Sequence, residues 1–272
     1  MENFLKALIL GIIEGITEFL PISSTGHLII ANKFIKFTGS FANTFDIVIQ
    51  LGAILSVVIY FWKDLFPFLP SLNKEKIANS LPIWKRIIVA FIPALLIGGF
   101  LGKKIEEYLF NSIVVSAALI IGGIILIIIE KSKPKSKFEK ISSLPYIICF
   151  YIGLFQCLAM VPGTSRSGAT IIGAMILGTT RSVAAEFSFF LAIPTIFAAT
   201  AYSLLKTGFS ISMLELQILA VGFVVSFFTA WAVIAAFMSY IRNNNFIPFA
   251  YYRIFLGLFI IFWFFGLPLI RR

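Results

Sequence analysis

Two carboxylates four residues apart, a run of small hydroxyl residues and the chain's single histidine share one short stretch, GIIEGITEFLPISSTGH at residues 11–27. Glu14 and Glu18 precede Pro21, and Ser23, Ser24, Thr25, Gly26 and His27 follow it. On a helix the i, i+4 spacing puts both acids on one face, where like charges repel. In an apolar setting each acid is expensive, so intramembrane carboxylates usually face a cavity and serve function. The cost is relieved when one acid is protonated, when a cation sits between them, or when an arginine pairs with them. His27 has an intrinsic pKa near neutrality, which suits proton transfer.

A second polar loop reads PGTSRSGAT, residues 162–170. Arg166 has no acid nearby in sequence, and an arginine at membrane depth needs an anionic partner. Its planar fork matches phosphate. Ser165, Ser167 and Thr170 add hydroxyl donors. Gly163 and Gly168 would let backbone N–H groups approach an anion closely. A helix beginning at Ala169 would favour an anion at its N-terminus. Together the loops suggest a phosphate site facing a carboxylate–serine–histidine site. The chemistry would be phosphoryl transfer or hydrolysis on an amphiphile, with serine or water attacking and His27 or a glutamate moving the proton.

The two loops are halves of a repeat. A shift of 142 residues puts Gly11 on Gly153, Glu14 on Gln156, Ser23 on Ser165, Thr25 on Ser167, Gly26 on Gly168 and Phe45 on Phe187. Short hydrophobic segments broken by Gly and Pro at matching positions mark the midplane site of inverted-repeat membrane proteins. The pairs are Phe4–Leu20 with Leu28–Phe37, and Pro145–Val161 with Ala169–Leu177. The division expected is a first repeat over about 1–130, a linker at 131–140 and a second repeat over about 141–272, in one integral membrane domain.

Composition supplies the setting. The chain is 60% hydrophobic and 12% charged, with mean hydropathy +1.01. Soluble domains are about 45–50% apolar and about 25% charged. The fold class expected is therefore an all-α polytopic membrane protein, with the two short pairs as re-entrant helix–loop–helix units. Continuous apolar runs argue against a β-barrel. Six runs approach the length that spans a bilayer: Phe45–Trp62, Ile87–Leu101, Ile113–Ile129, Phe187–Leu205, Leu214–Met238 and Phe249–Leu269. Glu14 and Glu18 and the lack of a small-residue cleavage site argue against a cleaved signal peptide. The net charge of +10 lies in short loops, which is membrane topology rather than nucleic-acid binding. Lys63, Lys74, Lys76, Lys85, Arg86, the 131–140 lysines, Arg181 and Arg242 fall on one face, expected to be cytoplasmic. Lys33, Lys36, Lys103, Lys104, Lys206, Arg271 and Arg272 fall on the other. Cys149 and Cys157 are expected to pack as small hydrophobes.

EGITEFLPISSTGH (14–27) and PGTSRSGAT (162–170) resemble the two signature motifs of the bacterial undecaprenyl-diphosphate phosphatases, the bacitracin-resistance proteins. TFDIVIQLGAILSVV (44–58), EFSFFLAIP (186–194) and FIPFAYYR (246–253) resemble further characteristic stretches, so the likeness runs end to end. Asp46 stands where the family commonly has Glu. The resemblance implies a multi-pass enzyme of the bacterial inner membrane that hydrolyses undecaprenyl diphosphate to undecaprenyl phosphate and inorganic phosphate. This recycles the carrier lipid of peptidoglycan synthesis, confers bacitracin resistance and places the active site toward the extracytoplasmic side. The catalytic set it implies is Glu14, Glu18, Ser24, His27 and Arg166. Ser24 is the nucleophile, with His27 as its competitor in that role. Diphosphate binding falls to Arg166, Ser165 and Thr170, with Ser167, Ser23 and Gly163 completing the substrate-binding set. A divalent cation, Mg²⁺ or Ca²⁺, is expected on Glu14 and Glu18. Expected partners are a polyprenyl diphosphate and membrane lipids, a homodimer is the candidate assembly, and nucleic acid is not expected. The alternative function is a flippase for undecaprenyl phosphate, alone or as a second role. The type-2 phosphatidate phosphatases use two catalytic histidines, so one histidine excludes that mechanism.

Overall fold

The computed structural model describes residues 2–37, 39–66, 74–207 and 211–266. Its helices are α1 Glu2–Thr17, α2 Ser24–Ile35, α3 Ser40–Tyr60, α4 Trp62–Leu65, α5 Lys74–Leu109, α6 Ser112–Ser132, α7 Tyr146–Cys157, α8 Arg166–Ile176, α9 Arg181–Thr207, α10 Met213–Ile241 and α11 Ile247–Ile261. Six segments are long and apolar enough to cross a membrane: Phe41–Tyr60, Ser80–Gly102, Ser112–Ser132, Arg181–Ser203, Met213–Ile241 and Ile247–Phe264. The chain is an all-α multi-pass membrane protein. The expected end of the last span at Leu269, and Arg271 and Arg272, lie outside the described residues.

The second span differs most from expectation. Sequence alone suggests a short run, Ile87–Leu101, that carries Pro93 and leaves its ends unfixed. Instead α5 runs for 36 residues with Pro82 and Pro93 inside it. In a membrane such prolines are tolerated because neighbouring groups re-satisfy the freed carbonyls. Within the same helix Arg86 Nη1 also donates to Pro82 O at 2.9 Å. Cys149 and Cys157 are free thiols, and Cys149 is buried in the main core.

Packing follows the repeat. Helix α1 lies along α10, and its counterpart α7 lies along α5. The pairs α3–α9 and α6–α11 join helices that are each other's counterparts. The glycines that match under the shift are points of close approach. A Cβ on Gly11 would come 2.8 Å from Gly222 O, and one on Gly153 would overlap Ala90 O. Phe187, Phe189 and Phe190 of α9 are fully buried, and Phe19 meets Phe189 edge-on at 5.2 Å.

Both polar loops end on the same device. Ser23 (φ 72°) and Ser165 (φ 70°) cap α2 and α8, accepting from Gly26 N at 3.4 Å and Gly168 N at 3.1 Å. The helices therefore start at Ser24 and Arg166, earlier than the Leu28 and Ala169 read from hydrophobicity. A cap that satisfies first-turn N–H groups lets a helix begin before its apolar run does.

One side chain of α11 holds the loops together. Arg253 is fully buried, and its hydrogen-bond partners among the described residues are all carbonyls. Its Nη1 donates to Pro21 O (3.2 Å) in the first loop, and its Nη2 to Thr164 O (2.8 Å) and Gly163 O (3.4 Å) in the second. Nε and Nη2 also reach Leu119 O (3.3 Å) and Ala118 O (3.2 Å) of α6. Gly122 and Gly168 leave the room that the guanidinium fills. The space beside Gly168 is thus taken by Arg253.

Two stability outcomes follow. Arg253→Lys replaces a five-donor fork by a point charge that cannot serve both loops, and costs about 2–4 kcal/mol; unfolding in detergent checks it, and an unchanged midpoint would remove Arg253 from this role. Gly153→Ala costs about 1–3 kcal/mol through overpacking. Gly99→Ala, with nothing within 4 Å of the new methyl, is neutral or stabilising by up to about 1 kcal/mol; the same unfolding measurement separates the two.

Candidate active site

The first helix–loop–helix pair presents its acids along the buried face of α1 and the turn that follows. Glu14 is fully buried and Glu18 nearly so. Glu18 is the hub. Ser24 Oγ donates to Glu18 Oε2 at 2.8 Å, and Arg166 Nη2 donates to Glu18 Oε1 at 3.3 Å. The carboxylate therefore joins the first residues of α2 and α8, which are counterparts under the 142-residue shift.

Arg166 is held from several sides. Its Nη1 donates to Ser188 O of α9 at 2.8 Å, and its guanidinium carbon stands 6.0 Å from the Phe19 ring centre. Nε is buried without a hydrogen-bond partner. That N–H is a buried donor of the fork with no acceptor.

The hydroxyls of the second loop bind the loop itself. Ser167 Oγ donates across to Leu20 O at 2.8 Å and lies 3.0 Å from Ser165 Oγ. Thr170 Oγ1 donates to Arg166 O at 2.9 Å and lies 2.7 Å from Ser188 Oγ. Ser167 and Thr170 have no exposed surface, and Ser23 has almost none. Gly163 (φ 91°) packs against Val115 and gives its carbonyl to Arg253. Their visible work is to place Arg166.

His27 is held at both ring nitrogens. Its Nδ1 lies 2.7 Å from Ser23 O and its Nε2 lies 2.8 Å from the Tyr252 hydroxyl. A carbonyl only accepts, so Nδ1 carries the proton. In the neutral ring Nε2 then accepts from Tyr252 O–H. The two rings stack 5.5 Å apart and 5° from parallel. Beside them an apolar cleft of about 480 Å³ opens between α1 and α11, lined by Ile13, Ile16, Leu20, His27, Phe249 and Tyr252 among others.

Glu14 differs from Glu18. Both of its carboxyl oxygens are buried without a hydrogen-bond partner, and so is Oδ1 of Asp46. Three contributors lie inside the stretches 186–194 and 246–253 but carry no role in the sequence reading: Ser188, Tyr252 and Arg253. Ser188 is the counterpart of Asp46 under the shift. The Tyr–Arg pair at 252–253 was visible as polarity inside an apolar span.

Residues 7–259 match the family described as bacitracin resistance protein BacA. Undecaprenyl-diphosphatase 1 of Clostridioides difficile (strain 630) is 50% identical over 272 residues, covering 97% of this chain and 99% of the relative. Undecaprenyl-diphosphatase of Thermoanaerobacter sp. (strain X514) is 50% identical over 262 residues, covering 96% and 97%. That of Fusobacterium nucleatum subsp. nucleatum is 50% identical over 261 residues, covering 93% and 97%. With the family's span and its relatives' sequences both matched along almost the whole length, the chain belongs to the bacitracin resistance protein BacA family.

Proposed function

We propose that the chain is an undecaprenyl-diphosphatase, cleaving undecaprenyl diphosphate to undecaprenyl phosphate and inorganic phosphate in the bacterial inner membrane. The observation that carries this reading is the line Arg166–Glu18–Ser24, which puts an anion-binding fork and a hydroxyl on opposite oxygens of one carboxylate. Arg166 holds the diphosphate and offsets its charge. Glu18 takes the proton as Ser24 Oγ attacks the terminal phosphorus. The Oγ–P bond forms, the bridging P–O bond breaks, and undecaprenyl phosphate leaves; water then releases phosphate from the serine. His27 is less suited to attack because Tyr252 occupies its Nε2 lone pair. His27 and Tyr252 instead line the apolar cleft, where a polyprenyl chain finds an apolar bed beside the reacting group.

A divalent cation, Mg²⁺ or Ca²⁺, belongs to the same proposal. The partnerless oxygens of Glu14 and Asp46 are hard donors of the right type. No cluster of three Asp, Glu, His or Cys ligands occurs among the described residues. Glu14, with Glu18 one turn further on, would hold such an ion. It would neutralise charge on the phosphoryl oxygens. The two loops are read as re-entrant pairs in inverted halves. The richer basic content of the 63–86 and 131–140 loops supports a site opening away from the cytoplasm.

Paired broken helices also suit a carrier, and flipping of undecaprenyl phosphate is the alternative. Hydrolysis is preferred because Ser24 is already bonded to a base and the named relatives are diphosphatases.

Purified protein in detergent with Mg²⁺ or Ca²⁺ should release phosphate from a long polyprenyl diphosphate and stop when a chelator is added. Arg166→Ala should lower that release by at least roughly 100-fold, the loss typical of one transition-state donor, while the protein still purifies folded. No release by the wild type would sink the reading. Tyr252→Phe frees His27 Nε2 and should lower kcat/KM roughly five- to tenfold, about one hydrogen bond's worth, with a shifted pH profile. An unaltered profile would make Tyr252 a packing residue only.

A further inference from the structure

A second polar cavity, of about 440 Å³, lies where α6 and α10 end and α9 begins. Lys133, Ser136, Thr179, Arg181, Ser182 and Arg242 are among the residues that line it, and none of its lining residues is acidic. We propose that this cavity binds a phosphate-bearing anion, the headgroup of an anionic phospholipid or free inorganic phosphate.

Arg181 is pre-set for the task. Glu130, almost fully buried at the end of α6, accepts from Arg181 Nε at 3.0 Å on both of its oxygens and from Nη2 at 2.5 Å. The same carboxylate accepts from Phe246 N at 2.8 Å, so it is fixed in turn. No hydrogen bond is seen for the remaining Nη1, on a side chain 41% exposed. Lys133 and Arg242 are exposed and form no ion pair with a carboxylate among the described residues. Three cations against one carboxylate leave the cavity region positive by about two charges.

Two further features call for an acceptor-rich ligand. Thr179 is only 4% exposed, lines the cavity, and its hydroxyl has no partner. A buried unsatisfied hydroxyl is costly and needs an explanation. Thr180 caps α9 through Val183 N (3.3 Å) and Ala184 N (2.9 Å). The N–H groups of Arg181 and Ser182 precede the first intrahelical bond and are available to an anion. The linker closes the far wall: Lys137 N and Phe138 N donate to Gly178 O, and Thr180 N donates to Phe138 O. Phosphate matches this donor set through the arginine fork and through its several acceptor oxygens. The cavity lies at the ends of three spans, the level of the membrane's own phosphates.

The full-length protein is exchanged into nanodiscs of phosphatidylcholine alone, or of phosphatidylcholine with phosphatidylglycerol, and titrated with inorganic phosphate at constant ionic strength. Thermal midpoints and the lipids retained in native mass spectrometry are read. The wild type should be stabilised by phosphatidylglycerol, by inorganic phosphate, or by both. Lys133→Gln with Arg242→Gln should weaken that response at least roughly tenfold, about the loss of one charge-assisted bond. Thr179→Val should weaken it as well, in a side chain of the same shape. In an Arg166→Ala background, where the proposed catalytic site no longer holds phosphate, the response that remains should show the same loss on Lys133→Gln with Arg242→Gln and on Thr179→Val. A response to phosphatidylglycerol alone identifies a headgroup site, and a response to inorganic phosphate identifies a free-anion site. No response, or one that survives Lys133→Gln with Arg242→Gln and Thr179→Val, overturns the proposal.

Discussion

The structure depends on a charge with no counterion in contact among the described residues. Arg253 is fully buried, and the groups it bonds are carbonyl oxygens. An unpaired buried charge is expensive, and persists only where its donors are well met. Here three of the carbonyls belong to the two polar loops and two to α6. Those loop carbonyls sit where the chain is neither helix nor water-exposed, so they need a donor as much as Arg253 needs acceptors. The guanidinium fork faces both loops at once. Fixing the loops to each other also fixes Glu18 against Arg166, because each stands at or beside the end of a loop so held.

That frame is strained where it meets the helices. Ser23 and Ser165 lie at positive φ, a region that side chains other than Gly, Asn and Asp rarely occupy. Such residues persist when the surroundings over-determine them. Arg253 on the loop carbonyls and Ser167 on Leu20 O supply that determination. The two halves share this backbone yet differ in charge. Under the shift Glu14 becomes Gln156, Ser24 becomes Arg166 and Asp46 becomes Ser188. One backbone device is used twice, with acids on one copy and the guanidinium on the other, and the site forms because the copies face each other.

Much of this is legible in sequence. Spans show as apolar runs, and the repeat shows because its matches fall on Gly and Ser. Gly11 and Gly153 match for a physical reason, since each is where one helix touches another. Helix starts are less legible. A serine cap at positive φ leaves no hydrophobic trace, so Ser24 and Arg166 read as loop although each opens a helix. The hydroxyls of Ser167 and Thr170 read as ligands for substrate, but the chain's own carbonyls and Ser188 use them first. Arg253 is the hardest to read. A buried arginine suggests an acid, and its partners are carbonyls, which every residue has and no motif marks.

The distribution of unsatisfied groups then says what the frame is for. Around the site nearly every polar atom has a partner, down to the caps and loop carbonyls. The exceptions are the Glu14 oxygens, Asp46 Oδ1 and Arg166 Nε. An acid that wants a cation and a guanidinium N–H that wants an anion are left open together, flanking the bonded pair of Glu18 and Ser24. On the proposed reading a phosphate group with a divalent ion would satisfy both, and binding energy would be directed to the charged end of the substrate rather than to its apolar tail.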